Sequence, residues 1–228
     1  MKAFDVRERK HIQSILNKSD KAFKKKEGVC IISFTDLFHI LNKDEIKSIK
    51  NFLTINPHDY SFRGKFLGIH EPPQNLIPIS GQKYLKGKKL KKISTQYVPA
   101  PVFKAYKKIN QALFDETGKI LLIDSGYRSP ARQILVFFYY LRFYQYDFAK
   151  TAKRVAMPGY SEHGYPAHQA IDFMTARGCP TDERPLDFAR TKEYEWLIEN
   201  ARRFHFHLSY PRGNSMGIMF EPWHWQFR

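Results

Sequence analysis

Two histidines and an aspartate fall within one short stretch, GYSEHGYPAHQAIDF at residues 159–173: His163, His168 and Asp172. Asp172 stands between Ile171 and Phe173 in an apolar run that reads as a strand, where a carboxylate is costly to bury unless it is paired or holds a cation. With an imidazole just upstream it can form part of a zinc shell of nitrogen and oxygen donors. The plainer alternative is a buried aspartate satisfied by backbone N–H groups, with the histidines on the surface. A second group lies in EPWHWQF, residues 221–227. Glu221 and His224 are three residues apart, and a turn or helical twist brings such positions onto one side. His224 can then complete a His–Asp–His set while Glu221 addresses the attacking water, although a lone aromatic-flanked histidine is more often a core residue. The third group is SGYRSPARQ, residues 125–133. A strand, a tight turn and a helix would set Arg128 at the exit of a sheet, with Gln133 further along the helix. An arginine there can clamp a carboxylate or a developing oxyanion, or simply close a helix start.

The elements that must position these groups follow from hydrophobic spacing. Residues 1–27 read as a charged helix with Ile12, Ile15, Leu16 and Phe23 on one stripe, and VCIISF (29–34) as a short strand or buried segment. Two helices are expected over 34–55, the first capped by Thr35 or Asp36 and the second starting at Asn42 to Asp44. Proline-rich residues 57–81 read as an extended connector, which places a boundary near residue 80. Beyond it, 98–118 is an amphipathic helix begun by prolines and ended by Gly118. Residues 119–126 form a buried strand, 128–150 a helix with Pro130 in its first turn, and 170–174 a second strand. A helix over 184–204 and strands over 205–211 and 221–227 complete the chain. The expected class is α+β: a small central, mainly antiparallel sheet with flanking helices carrying the zinc site, plus a mostly helical N-terminal extension. The expected division is 1–80 as an accessory region and 81–228 as the catalytic domain.

Composition restricts the partners. The 228 residues carry a formal charge of +16, and 43% are hydrophobic, including 19 Phe, 13 Tyr and 3 Trp, which suits a folded core. The lysines concentrate in KAFKKKEG (21–28) and KYLKGKKLKKIS (83–94). They read either as a solvated surface or as a site for a polyanion, such as an anionic wall polymer. No nucleic-acid-binding motif accompanies them. Cys30 and Cys179 form no CxxC pair, so two buried thiols are expected, with a single bridge between them as the alternative. No run approaches the roughly 18 apolar residues of a membrane span, and MKAFDVRERKHIQ has no apolar core of a signal peptide. Cytoplasmic action, export by another route, or a leader already removed are the alternatives expected from that end of the chain.

Taken together, SGYRS at 125–129 with Gln133, SEH at 161–163, A-x-D at 170–172 and EPWH at 221–224 resemble the LAS-type zinc D-Ala-D-Ala metallopeptidases. That group includes VanY-like carboxypeptidases, related dipeptidases and phage L-Ala-D-Glu endolysins. The resemblance covers roughly residues 83–228. It implies one Zn²⁺ per chain held by His163, Asp172 and His224, with Glu221 as general base and Arg128 stabilising the oxyanion. Gln133 and Ser161 resemble positions that support substrate binding. Tyr127, Trp223 and Trp225 stand as candidates for walls of the cleft or for core. The pattern departs at one place. The family's first histidine lies seven residues before its aspartate, whereas here His163 lies nine before Asp172 and His168 four. A two-residue insertion accounts for this and keeps His163 as the ligand, with His168 as the alternative. The implied activity is a D-alanyl-D-alanine carboxypeptidase acting on peptidoglycan stem peptides or muropeptides, in the cell envelope. An endopeptidase (lysin) or D-Ala-D-Ala dipeptidase is the alternative within the class. A non-catalytic zinc-fold binding module is the alternative outside it, against which the presence of both Glu221 and Arg128 argues.

Overall fold

Asp5 opens the first helix by a reciprocal cap: its carboxylate accepts the Glu8 N–H, and the Glu8 carboxylate accepts the Asp5 N–H. A computed structural model describes residues 4–24, 26–179 and 184–228. Residues 1–3 and 25 of the expected first helix lie outside that set. Helix α1 (Val6–Phe23) buries Ile12, Ile15, Leu16 and Phe23, the stripe read from their spacing. The same capping device opens α2 (Phe34–His39) at Ser33 with Asp36, and α3 (Lys43–Leu53) at Asn42 with Glu45. The cap of α2 is therefore Ser33, neither Thr35 nor Asp36, because Asp36 is the carboxylate that reaches back. Residues 29–34 are not a strand. Gly28 turns the chain at φ 77, Val29–Ile31 form a 3₁₀ turn, and of the β-branched run only Ile32 is buried.

The remaining elements are β1 (Ile77–Ile79), β2 (Lys83–Lys86), β3 (Lys89–Lys92), β4 (Gln96–Val98), α4 (Ala100–Thr117), β5 (Leu121–Ser125), α5 (Pro130–Phe143), α6 (Phe148–Arg154), β6 (Ala170–Thr175), α7 (Pro185–Ala189), α8 (Lys192–Asn200), β7 (Phe206–Leu208) and β8 (His224–Phe227). Two expected helices are broken. The run 128–150 stops at Phe143 because Gln145 and Tyr146 take left-handed backbone (φ 54 and 66), and the Asp147 carboxylate caps a new helix at Lys150 N–H. The run 184–204 is interrupted where the Thr191 hydroxyl caps α8. In both places a short polar side chain offers the backbone a competing partner inside an apolar pattern. Helix α4 ends as expected at Gly118, which adopts φ 65.

Contacts divide the described chain into two units. One comprises the residues up to Pro72, Arg128–Gly164 and Asn214–Met219. Its centre is aromatic: the Phe52 ring meets Phe138 edge-on at 4.9 Å and lies 5.3 Å from Phe137, and Phe4 and Phe148 pack around it. Beside this core, the 2%-exposed Glu45 carboxylate accepts from Ser14 Oγ (2.7 Å), Lys18 Nζ (2.8 Å) and the Asn42 N–H (2.8 Å). Burial by itself would raise its pKa, but the bonds from Lys18, Ser14 and Asn42 outweigh it and hold the carboxyl below the ordinary value. A depressed folded-state pKa means stabilisation that is complete above the usual glutamate range and lost as pH falls through the depressed value. Glu45→Ala should therefore cost about 1–3 kcal/mol at neutral pH, read from the urea midpoint. The gap from the parent protein should narrow in acid; a gap independent of pH would remove the charged bonds as its source.

The other unit comprises Pro73–Tyr127, Tyr165–Gly213 and Phe220–Arg228. Its four-stranded sheet runs β5-β6-β8-β7, with every neighbouring pair antiparallel. Ile109 and Leu113 of α4, Leu197 of α8 and the sheet residues Leu121, Ile123, Ile171, Phe173 and Phe206 form the core. Trp223 and Trp225 belong to that core and Tyr127 is fully buried, so none of the three is open cleft wall. Two small antiparallel pairs, β1–β4 and β2–β3, complete the unit. The fold is thus α+β, with small antiparallel sheets, flanking helices and a helical N-terminal region. Cys30 and Cys179 form no disulfide, and both are half-buried where buried thiols were expected. Among the described residues no helix is long and apolar enough to cross a membrane.

Candidate metal centre

The pairing of β6 with β8 sets Asp172 directly opposite His224, the first residue of its strand. His224 Nδ1 lies 2.9 Å from Asp172 Oδ1 and 3.9 Å from Glu221 Oε2. Two lone-pair donors this close hold a proton or a cation between them. Pro222 keeps Glu221 out of the strand. The Glu221 N–H instead donates to the Tyr210 carbonyl (3.1 Å), and the His224 N–H donates back to the Glu221 carbonyl (3.1 Å), closing a turn that puts both side chains on one side. The Tyr210 ring packs against the His224 imidazole at 4.7 Å and limits how it can rotate. Tyr210 was expected only as part of a strand over 205–211, with no role of its own; it lies just past β7, which ends at Leu208.

Behind Asp172 stands β5. Ser125 pairs with Asp172 across a register shift after Ile123. The glycine that follows it, Gly126, is required by its surroundings: a Cβ there would overlap the Tyr97 carbonyl oxygen, and its N–H donates to Gln96 Oε1 (3.1 Å). The turn in SGYRS is therefore fixed by backbone contact.

His163 sits in a 3₁₀ turn, Glu162–Gly164, and is 4% exposed. Its carbonyl accepts the Arg128 N–H at 3.1 Å, which ties this turn to the start of α5. Arg128 donates from Nη1 to Gln133 Oε1 (3.0 Å), and Gln133 donates from Nε2 to the Ala156 carbonyl (2.6 Å). Gln133 thus orients the guanidinium while being fixed itself. Ser129 caps α5, accepting the Arg132 N–H (3.1 Å) and donating to the Ile32 carbonyl (2.6 Å). Ser161 is buried two residues before His163. His163, Asp172 and His224 each offer one ligand atom, and these atoms all lie within 4.8 Å of one another. His168 is not in this group; it is exposed, with its ring 5.6 Å from that of Tyr165.

Two nitrogens and one carboxylate oxygen, largely buried and with a carboxylate beside them, are a donor set that could hold a metal ion, of the nitrogen and oxygen kind that zinc takes. The chain belongs to the VanY family of D-alanyl-D-alanine carboxypeptidases: the family model matches residues 95–228, more than half of its length. It is 27% identical over 197 residues to YodJ of Bacillus subtilis (strain 168), which bears a provisional carboxypeptidase name. That match covers 85% of this chain and 66% of YodJ, just under two thirds of the relative's length. Among solved structures, the LdcB LD-carboxypeptidase, described in connection with peptidoglycan recognition, superposes with a TM-score of 0.56 at 27% identity, over 75% of this chain and 78% of that one.

Proposed function

We propose that the protein is a zinc-dependent peptidase that removes the terminal D-Ala from peptidoglycan stem peptides. The observation that carries this reading is the convergence of His163, Asp172 and His224 to within 4.8 Å, with Glu221 beside His224. These three residues would hold one zinc ion, which when bound supplies Lewis acidity at the scissile carbonyl. Glu221 takes the proton of the attacking water as its oxygen bonds to the carbonyl carbon. The carboxyl group then passes that proton to the leaving amine as the C–N bond breaks. Arg128, aimed by Gln133, donates hydrogen bonds to the developing oxyanion or to the substrate carboxylate. Ser161 and Gln133 line the substrate side.

Residues 1–80 act as a brace on the catalytic residues 81–228 in this reading. Backbone of that region holds the start of α5: the Ser129 N–H donates to the Cys30 carbonyl (2.8 Å), and its hydroxyl donates to Ile32. Phe52 fills the space against Phe137 and Phe138 of the same helix.

The likeness to an LD-carboxypeptidase favours a second reading within the class, in which the cut bond follows an L-configured centre of a tetrapeptide stem. Incubation of the zinc-loaded protein with tetrapeptide and pentapeptide muropeptides, read by mass, decides between them. Loss of one alanine from the pentapeptide supports the D,D reading, and loss from the tetrapeptide alone supports the L,D reading. Cleavage inside the stem would make the protein an endopeptidase. No mass change with either stem would sink the peptidase reading.

A further inference from the structure

Six lysines and no acidic residue stand in Lys83–Lys92, KYLKGKKLKK. The chain folds this segment into the β2–β3 hairpin, with Gly87 at φ 62 in its turn. The register sets Lys83 opposite Lys92, Tyr84 opposite Lys91, Leu85 opposite Leu90 and Lys86 opposite Lys89. Side chains alternate across a strand, so Tyr84, Lys86, Lys89 and Lys91 share one face, and Lys83, Leu85, Leu90 and Lys92 share the other. On the first face Tyr84 alone is half-buried and anchors the hairpin, while Lys86, Lys89 and Lys91 are exposed. The Tyr84 ring lies on Gly178, where any Cβ would overlap it, and the Leu85 N–H donates to the Ala176 carbonyl at 2.8 Å. The second face is exposed throughout and carries the apolar pair: Leu85 is 42% exposed and Leu90 63%, and neither belongs to the core.

We infer that this face docks the protein on an anionic lipid surface. The six lysines, with no acidic residue among them, attract an anionic partner. The leucine pair selects a bilayer over a soluble polyanion, because a polymer of phosphates or uronates has no apolar region in which the leucines could leave water. Leu85 and Leu90 enter the boundary between headgroups and acyl chains, while Lys83 and Lys92 on the same face, and the tip lysines Lys86, Lys88 and Lys89, contact lipid phosphates. The rigid attachment through Tyr84 lets the hairpin act as a fixed foot.

The test needs no peptidase substrate, so its outcome is separate from that of the catalytic reading. The full chain is sedimented with vesicles of phosphatidylcholine, with and without phosphatidylglycerol, at low and high salt. Binding is expected only with phosphatidylglycerol, and it should weaken at high salt. The double variant Leu85→Ser/Leu90→Ser should weaken vesicle binding by about tenfold while leaving binding to soluble polyphosphate unchanged. Lys86→Gln/Lys88→Gln/Lys89→Gln should weaken both. All substituted positions are exposed, and an unchanged thermal midpoint verifies the fold. Absence of vesicle binding would overturn the proposal. So would a leucine variant that binds vesicles as the parent does, which would make the hairpin a site for anionic polymer alone.

Discussion

Glu221→Gln is expected to lower kcat by about a hundred- to ten-thousandfold while leaving zinc in place. The turn that carries this side chain is closed by backbone hydrogen bonds. The Glu221 N–H donates to the Tyr210 carbonyl and the Glu221 carbonyl accepts the His224 N–H, each at 3.1 Å. An amide of the same shape keeps that turn and so keeps His224 where Asp172 meets it. What the amide loses is the capacity to take a proton at neutral pH, which is the one thing the proposed base must do. The measurement pairs D-Ala release with the zinc content of the dialysed protein. Glu221→Asp, which shortens the reach but keeps the basicity, should recover part of the rate. If activity stayed within threefold of the parent (about 0.6 kcal/mol of barrier), Glu221 would not be the base. If zinc were lost with activity, Glu221 would be holding the ion instead.

Why some of this was legible in the sequence and some was not comes down to the range of the interactions. Asp172 announced itself because a carboxylate inside AIDFM contradicts its apolar neighbours, a purely local conflict. Its partner did not: Asp172 and His224 are 52 positions apart, and the register that joins them is set by the pairing of β6 with β8. Residue types alone allowed His224 to complete a His–Asp–His set, and the resemblance of EPWH to a known motif was the further link between the two. The spacing between His163 and Asp172 is longer than the family's, and two successive 3₁₀ turns, Glu162–Gly164 and Pro166–His168, occupy the additional chain.

Helical periodicity told correctly which face of α1 is buried, but it cannot say against what. Hence the packing of Phe52 on Phe137 and Phe138 of α5 was invisible, and the accessory region and the catalytic motifs read as consecutive. The lysine hairpin was missed for the opposite reason. Strand alternation is a signal only when one face is apolar, and here lysines occupy both faces while the two leucines sit on the outer one. That failure of the binary pattern is the same feature from which docking on a lipid surface was inferred. Where local rules are broken without a gain in packing, a partner outside the chain is the natural place to look for the gain.

His163→Ala should lose zinc, and His168→Ala should keep it. The two histidines are five residues apart and differ in their surroundings. His163 is 4% exposed, in a turn whose carbonyl is fixed by the Arg128 N–H, and its ring nitrogen is one of three donor atoms within 4.8 Å. His168 is exposed beside Tyr165. Even groups that only orient a ligand cost about 10–100-fold in metal affinity when removed, so loss of a direct donor should weaken binding by at least about a hundredfold. The readout need not be catalysis. An ion that binds the folded chain at about a hundred times its dissociation constant stabilises it by about 2.7 kcal/mol. Zinc addition should therefore raise the thermal midpoint of the parent and of His168→Ala, and leave that of His163→Ala nearly unmoved. The reverse pattern would assign the ligand to His168 and would mean that the longer loop displaces His163 from the site. Retention of zinc by both variants would show that the ion is held elsewhere, and the hydrolytic roles of Glu221 and Arg128 would then have no centre to act on.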